Sequence, residues 1–386
     1  MSAQFKIWGT HLEEEAIQQM RDAVSLPVAV SGALMPDAHT GYGLPIGGVL
    51  ATENAVIPYG VGVDIACRMM LTIFDVHPNV LKQNKNFYKK AIEENTRFGV
   101  GAEWKEKKQH HVLEEDWNIT SFIKELKDKA HKQLGTSGSG NHFVEFGEIT
   151  FDEEAVGISQ GTYLALLSHS GSRGAGAAVA SHYTKIAKSF HPELEGRMKN
   201  LAWLDLNNDG AEYWAAMELM GKYASANHHV IHQEISNSIG HSILKQVENH
   251  HNFAWKEIHN GKEVIVHRKG ATPAGKGVLG IIPGSMASPG FLVEGLGNSE
   301  SLNSTSHGAG RKMSRTQALK NYTWKETLEY LRKQNVELIS AGLDEVPWAY
   351  KNIRDVMNAQ LDLAKPLATF MPRIVKMAPA GERAED

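Results

Sequence analysis

Cys67 is the only cysteine in the chain, and it closes the run Gly60-Val61-Gly62-Val63-Asp64-Ile65-Ala66-Cys67-Arg68. Asp64 and Cys67 stand three apart, so one bend aims a carboxylate and a thiolate at the same point. A thiolate is a soft metal ligand, and a carboxylate suits a harder ion such as Mn²⁺ or Mg²⁺. This spacing predicts a metal centre rather than a structural thiol.

Four histidine segments share one style, with small or polar residues around the imidazole. They are Asn141-His142-Phe143-Val144-Glu145, Ser168-His169-Ser170-Gly171-Ser172-Arg173-Gly174, His250-His251-Asn252 and Ser306-His307-Gly308-Ala309-Gly310-Arg311. Glycine lets the backbone approach a ligand closely, and neutral imidazole serves as a metal ligand or a nucleophile. Asp64, Cys67 and three of these histidines suffice for two metals bridged by one thiolate. His228, His229, His232 and His241 lie in a helical stretch instead and read as structural residues.

Arg173, Arg268, Lys269, Arg311 and Lys312 fall inside or beside the glycine-rich segments, where guanidinium and backbone N–H groups can grip phosphate. Solvated surface charge fits Arg173 and Arg268 least, which makes these two the expected phosphate binders. Gly270-Ala271-Thr272-Pro273-Ala274-Gly275-Lys276-Gly277 imitates a P-loop up to its last position, where Gly277 replaces the Mg²⁺-binding hydroxyl. The apolar run after it predicts a strand and turn rather than the required helix, which excludes a P-loop nucleotidase.

The elements that must carry these groups are mixed. The first hundred or so residues combine glycine-rich turns with short apolar runs that suit strands. Residues 102–135 predict a helical insertion or surface layer, and 211–249 a long helical region in which Ile235, Ile239, Ile243 and Val247 recur every four residues. Strands and loops are expected over 263–311, with helix again around Trp324–Leu331 and a frayed polar tail. The expectation is an α+β fold: one large mixed domain over residues 1–386, with a β-rich metal-binding core and surrounding helices. A net charge of −4 does not advertise polyanion binding by the whole surface. The absence of a secretory signal or a membrane-length apolar run, with a single cysteine, predicts a cytoplasmic protein without a membrane partner.

Read in order, the motifs resemble the RtcB family of RNA-splicing ligases. Met35-Pro36-Asp37-Ala38-His39-Thr40-Gly41-Tyr42-Gly43-Leu44-Pro45-Ile46-Gly47-Gly48-Val49 looks like the family's opening signature. Asp64-Ile65-Ala66-Cys67-Arg68-Met69, Gly138-Ser139-Gly140-Asn141-His142-Phe143, the His169 segment, His251-Asn252, His267-Arg268-Lys269-Gly270-Ala271-Thr272 and the His307 segment follow in the family's order. The resemblance implies a GTP- and Mn²⁺-dependent ligase joining an RNA 2′,3′-cyclic phosphate or 3′-phosphate end to a 5′-hydroxyl end. It implies that Cys67 bridges two Mn²⁺ ions, that Asp64 and His142 complete one site, and that His169 and His251 complete the other. His307 would be the nucleophile that carries GMP. Asn141, Glu145, Ser285, Gly308, Ala309, Gly310, Tyr350 and Lys376 fall where the family contacts the nucleotide, with Lys376 near the guanine. Asp37 would lie close to the metal site in a supporting role that the resemblance does not define.

The chain departs from the family at Pro273, where arginine is usual, and over 274–282. Neither departure touches a ligand or His307. The resemblance leaves open an activating protein as a partner, and the choice between tRNA splicing and RNA repair. A metal-dependent cyclic phosphodiesterase that opens ends without sealing them is the alternative enzyme. It needs the metal ligands but neither His307 nor Lys376. A non-catalytic RNA-binding protein is the third reading.

Overall fold

The computed structural model describes residues 3–382, and the fold is α+β. Its centre is an eight-stranded sheet whose main path runs Leu279–Ile282, Gly290–Gly295, Ala364–Met377, Phe143–Phe151, Gly161–Ser170, Arg68–Phe74 and Ile243–His250. Neighbours along this path for which pairing is antiparallel include all six contacts; Glu337–Ser340 joins Ala364–Met377 in parallel from the side. A second sheet of five strands contains Ala29–His39, Ile46–Thr52 and Lys262–Lys269.

Strand alternation divides the core. Leu164, Leu166, Val144 and Phe146 face one side and pack on Ile231, Ile235 and Ile239 of the helix Asp209–Ile239. Ala165, Leu167, Ile149 and Phe151 face the other side, together with Met69, Leu71, Val247, Ile281 and Leu292. Ile281 and Val247 come from opposite ends of the strand path, so the sheet curls until its ends meet. Asn249 bridges that seam: its Oδ1 accepts from the Ile281 N–H at 2.9 Å, and its Nδ2 donates to Thr272 Oγ1 at 2.9 Å.

The helix Asp209–Ile239 starts with Asp209 and Glu212 in its first turn, where negative charge suits the helix dipole. It ends at Gly240, whose φ of 71° is the left-handed cap glycine favours. The four-residue spacing of Ile235, Ile239, Ile243 and Val247 is therefore misleading. Ile243 and Val247 belong to the strand Ile243–His250. In 102–135 only Ser121–Gln133 is α-helix; Ile123 and Ala130 are buried with Val179 and Tyr183 of the helix Arg173–Phe190. Helices Glu14–Val24 and Lys85–Asn95 interrupt the region expected to be strands and turns. After the expected helix around Trp324 the chain forms Ala364–Met377, the longest strand among the described residues, which the expectation of helix followed by a tail did not include; residues 383–386, where the expected tail ends, lie outside the described residues. As expected, Leu279–Ile282 after the P-loop-like run is a strand. Among the described residues no helix is long and apolar enough to cross a membrane.

Arg268 corrects the phosphate assignment. Its side chain is fully buried, pairs with Glu257, donates to Ser304 Oγ at 2.7 Å and the Leu302 carbonyl at 2.8 Å, and lies 4.6 Å from the Trp255 ring centre. Arg173 is likewise consumed inside, donating to Thr136 Oγ1 and the Gly99 carbonyl at 3.1 Å each. Both arginines hold the frame together. Arg268→Ala leaves the buried Ser304 and Leu302 acceptors without their donor while Glu257 keeps His259 at 2.7 Å, so a loss of about 1–3 kcal/mol is expected. Urea denaturation checks it; an unchanged midpoint would show that these acceptors need no such donor.

Candidate metal centre and active site

Four adjacent strands deliver the candidate ligands to one end of the curled sheet. His142 precedes Phe143–Phe151, His169 lies near the end of Gly161–Ser170, Cys67 precedes Arg68–Phe74, and His251 follows Ile243–His250. The register enforces this: Phe143 pairs with His169, and Arg68 pairs with both Ser170 and His250. Each neighbouring strand in turn contributes one donor.

Asp64 enters from the turn before Cys67. Ala66 in that turn takes a φ of 56° and donates its N–H to the Asn252 carbonyl at 2.9 Å, while the Cys67 carbonyl accepts from the His251 N–H at 2.9 Å. One Asp64 oxygen accepts from the Ser172 N–H at 3.0 Å. Gly171 is required here, because a Cβ would lie 2.1 Å from both Asp64 oxygens.

The donor atoms crowd together. Cys67 Sγ stands 3.0 Å from His169 Nε2 and 3.4 Å from His142 Nε2. His142 Nε2 lies 3.1 Å from Asp64 Oδ2, and His169 Nε2 lies 3.3 Å from His251 Nε2. The thiol and one ring nitrogen each from His142 and His169 form a buried triplet within mutual reach of a single ion. His169 Nδ1 donates to the Asn141 carbonyl at 3.1 Å, so its Nε2 lone pair faces the cluster. Burial, reinforced by His142, lowers His169 to about 3, and burial holds His251 well below the usual imidazole range. Burial alone would raise the Asp64 carboxyl, but His142 beside it brings it below its ordinary value.

Neutral imidazoles and an ionised carboxylate are the protonation states that metal binding needs. His251 Nδ1 is buried without a hydrogen-bond partner, and Asp64 Oδ2 is buried with His142 Nε2 at 3.1 Å against it, a carboxylate oxygen whose desolvation a bound cation would offset. Soft sulfur, three imidazoles and a hard oxygen therefore fit a transition-metal centre.

His307 stands beside this cluster, its ring 4.9 Å from that of His251. Asp37, fully buried, accepts on Oδ2 from both the His307 backbone N–H at 3.2 Å and its Nδ1–H at 2.8 Å. The ring is thereby fixed with its proton on Nδ1 and its lone pair on Nε2. Burial would raise Asp37, but the hydrogen bond from His307 and the nearby positive groups carry it below its usual value. Sequence left the role of Asp37 undefined; it anchors His307. Gly310 makes room for this pair, since a Cβ there would meet the Asp37 carbonyl oxygen at 2.1 Å.

One cavity of about 1110 Å³, counting its open mouth, joins the cluster to His307. Asn141, Glu145, Ser285, Gly308, Ala309, Gly310 and Tyr350 also line it. Burial drives the Glu145 carboxyl well above the usual range, toward the neutral acid. Tyr350 donates its hydroxyl to Glu345 and lies under the Arg311 guanidinium. Lys376 is the exception. Its strand neighbours Val375 and Met377 line the cavity, while its own amine donates to Thr96 Oγ1 at 3.0 Å and lies 5.5 Å from the Phe98 ring centre.

Two further histidines brace the cluster from behind. His228 Nε2 meets the Ser170 carbonyl at 3.0 Å, so it must donate, and its Nδ1 accepts from Ser168 Oγ at 2.9 Å. Ser168 then accepts from His232 Nε2 at 2.8 Å, whose Nδ1 accepts from Thr72 Oγ1 at 2.7 Å. Gln246 closes the chain by donating from Nε2 to Thr72 Oγ1 at 2.9 Å. Every bond runs one way, toward the carbonyl that also contacts Cys67 Sγ at 3.3 Å. Burial favours both rings neutral, lowering His232 to about 3 and holding His228 well below the usual imidazole range. The structural reading of His228 and His232 holds, and so does that of His241, which bonds the Tyr88 hydroxyl at 2.8 Å.

The family model for tRNA-splicing ligase RtcB matches residues 19–377. The RNA-splicing ligase RtcB of Escherichia coli strain K12 is 32% identical over 408 aligned residues, covering 96% of each chain. The tRNA-splicing ligase RtcB of Nanoarchaeum equitans is 32% identical over 434, covering 93% of this chain and 91% of its own. That of Methanococcus maripaludis is 32% identical over 447, covering 96% and 92%. With a match that begins before Asp37 and ends beyond Lys376, and relatives a third identical from end to end, the chain belongs to the RtcB family of RNA-splicing ligases.

Proposed function

We propose that this chain is a GTP- and Mn²⁺-dependent RNA ligase. It joins a 2′,3′-cyclic phosphate or 3′-phosphate end to a 5′-hydroxyl end through a GMP carried on His307, in tRNA splicing or RNA repair. The observation that carries this reading is His307, held from behind by the buried Asp37, in the same cavity as the Asp64–Cys67–His142–His169–His251 donors. A phosphodiesterase needs the donors alone and gives no reason to hold an imidazole on a buried carboxylate.

In this reading His307 Nε2 attacks the α-phosphorus of GTP, and pyrophosphate leaves. The positive charge that grows on the ring is offset by Asp37 through Nδ1–H. A 3′-phosphate oxygen then displaces His307, forming an anhydride between the RNA end and GMP. The 5′-hydroxyl attacks the 3′-phosphorus, loses its proton, and GMP departs with the anhydride oxygen. The anhydride matters because the oxide leaving group of a bare 3′-phosphate is poor. Two Mn²⁺ ions held through Cys67, with Asp64 and His142 on one side and His169 and His251 on the other, would neutralise phosphate charge and align attacking and leaving oxygens. Glu145, whose burial favours the protonated form, would in that form donate a hydrogen bond to an anionic oxygen. Asn141, Ser285, Gly308, Ala309, Gly310 and Tyr350 shape the nucleotide end, and Lys376 approaches the guanine from behind Val375.

Incubation with α-labelled GTP and Mn²⁺, followed by denaturing electrophoresis, tests the reading: an acid-labile adduct is expected. Its absence, with cyclic ends still opened, would leave the phosphodiesterase. Cys67→Ala removes the sulfur shared by the donor set and should lose bound metal, adduct and joining together; wild-type activity would defeat a dinuclear centre. His307→Ala should retain metal by elemental analysis yet take up no GMP. Asp37→Asn should also retain metal but slow adduct formation roughly 10²-fold or more, the scale of a lost acid–base partner; an unchanged rate would remove Asp37 from the chemistry.

A further inference from the structure

Between the strands Ala29–His39 and Ile46–Thr52 the chain makes a short loop whose two ends, His39 and Ile46, both line the active cavity. The loop is pinned at nearly every residue. Glu13 accepts from the Thr40 N–H at 3.0 Å and from its hydroxyl at 2.6 Å. The Gln19 amide donates to the Gly41 carbonyl at 2.6 Å and accepts from the Gly41 N–H at 3.0 Å. Lys269 donates to the Tyr42 carbonyl at 2.5 Å. Gly43, at a φ of 73°, packs where a Cβ would meet the Asn200 carbonyl oxygen at 2.9 Å.

On this fixed backbone the Tyr42 side chain is left 72% exposed, the highest of the large apolar and aromatic residues that stand out at the surface. Tight anchoring of a backbone that displays such a ring is hard to explain as packing, since most of the ring stays in solvent.

The surroundings of the ring are aromatic and basic. Tyr59 is close enough that Tyr42 adds to the effect of burial in raising its hydroxyl. The Tyr59 ring carries two amines, Lys269 at 5.0 Å and Lys188 at 5.9 Å from its centre. Lys188 also donates to Asn200 Oδ1 at 2.7 Å, on the residue against which Gly43 packs. Lys269 immediately precedes Gly270, another lining residue, where a Cβ would stand 3.2 Å from His307 Cε1. The nearest carboxylate fixed by the loop, Glu13, is already engaged by Thr40. Lys269 is buried and spends its amine on the loop backbone, which leaves the partly exposed Lys188 as the amine beside the two rings. Exposed aromatic rings with a lysine alongside are the pattern that holds single-stranded nucleic acid, with bases on the rings and phosphates near the amine.

We propose that Tyr42 is a stacking platform for the terminal nucleobase of an RNA strand whose end enters the cavity beside His307. The proposal rests on the RNA-ligase reading and adds a binding position to it. Stacking accepts any base, because each presents a π-face, which suits an enzyme that must take ends of differing sequence. The ring, rather than the hydroxyl, is the working part. Either the 3′-phosphate strand or the 5′-hydroxyl strand can supply the base, and the two are told apart by which strand loses affinity.

The test uses the full chain with two short labelled single-stranded RNAs, one ending in a 3′-phosphate and one beginning with a 5′-hydroxyl, read by fluorescence anisotropy. Tyr42→Ala should weaken binding of one of them roughly 5- to 150-fold, the equivalent of about 1–3 kcal/mol of base–aromatic stacking. Tyr42→Phe should bind like wild type. GMP uptake from GTP, which involves no RNA, should be the same in all three proteins. Unchanged affinity of Tyr42→Ala for both strands would overturn the proposal, as would equal losses in Tyr42→Ala and Tyr42→Phe. A wild-type protein that takes up no GMP defeats the ligase reading instead, and the anisotropy comparison still judges Tyr42.

Discussion

Gathering a thiol, a carboxylate and three imidazoles into one buried space is unfavourable for the bare polypeptide. Cys67 Sγ, His169 Nε2 and His251 Nε2 approach one another at 3.0 and 3.3 Å, close enough for lone pairs to repel wherever no proton lies between them. The fold sustains this by taking the donors from four hydrogen-bonded neighbouring strands. No donor can retreat without breaking its strand's register, because Phe143 is tied to His169 and Arg68 to Ser170 and His250. The backbone ladder thus opposes the relaxation that the side chains would otherwise undergo, and the cluster remains prepared for a cation.

The supporting bonds have directions as well as lengths. A carbonyl can only accept, so the Ser170 oxygen forces His228 to donate, and that choice propagates through Ser168, His232 and Thr72 to the amide of Gln246. A chain of this kind has one satisfactory arrangement of protons. Protonating either histidine would place two donors face to face, so burial and hydrogen-bond order act together against a charged ring. The strand that carries His169 is held by its own flanking residues, Ser168 and Ser170, rather than by contacts to the ligand itself.

Much of the site was legible in the sequence because metal chemistry is written in rare residue types. A single cysteine three residues from an aspartate, and histidines framed by glycine and serine, need little context to stand out. The frame was harder to read. Ile243 and Val247 continue the four-residue spacing of a helix that Gly240 has already ended; the glycine, not the spacing, carried the boundary. The strand Ala364–Met377 contains two prolines and several charged residues, which disguise it. Its pairing shifts register between Pro372 and Ile374, and its partner shows another shift opposite Pro366, where a missing N–H is tolerated. Arg268 misled because a guanidinium beside glycines suits phosphate and an internal ion pair equally well. Only the position of Glu257, 11 residues away across a hairpin, decides between them.

His169 and His307 show how one hydrogen bond can divide two identical side chains between two tasks. Both rings donate through Nδ1 and present Nε2 to the same cavity. The acceptor for His169 is the Asn141 carbonyl, a neutral group that orients the ring but does little for a positive charge on it. The acceptor for His307 is the Asp37 carboxylate, fully buried and held ionised. Bond formation at Nε2 draws positive charge onto the ring, and a carboxylate on the far nitrogen stabilises that charge where a carbonyl would not. A metal ligand needs the lone pair without the charge; a nucleophile that must release what it has captured benefits from both. On electrostatic grounds, then, His307 is suited to covalent transfer and His169 to coordination. The distinction rests on the residue behind each ring.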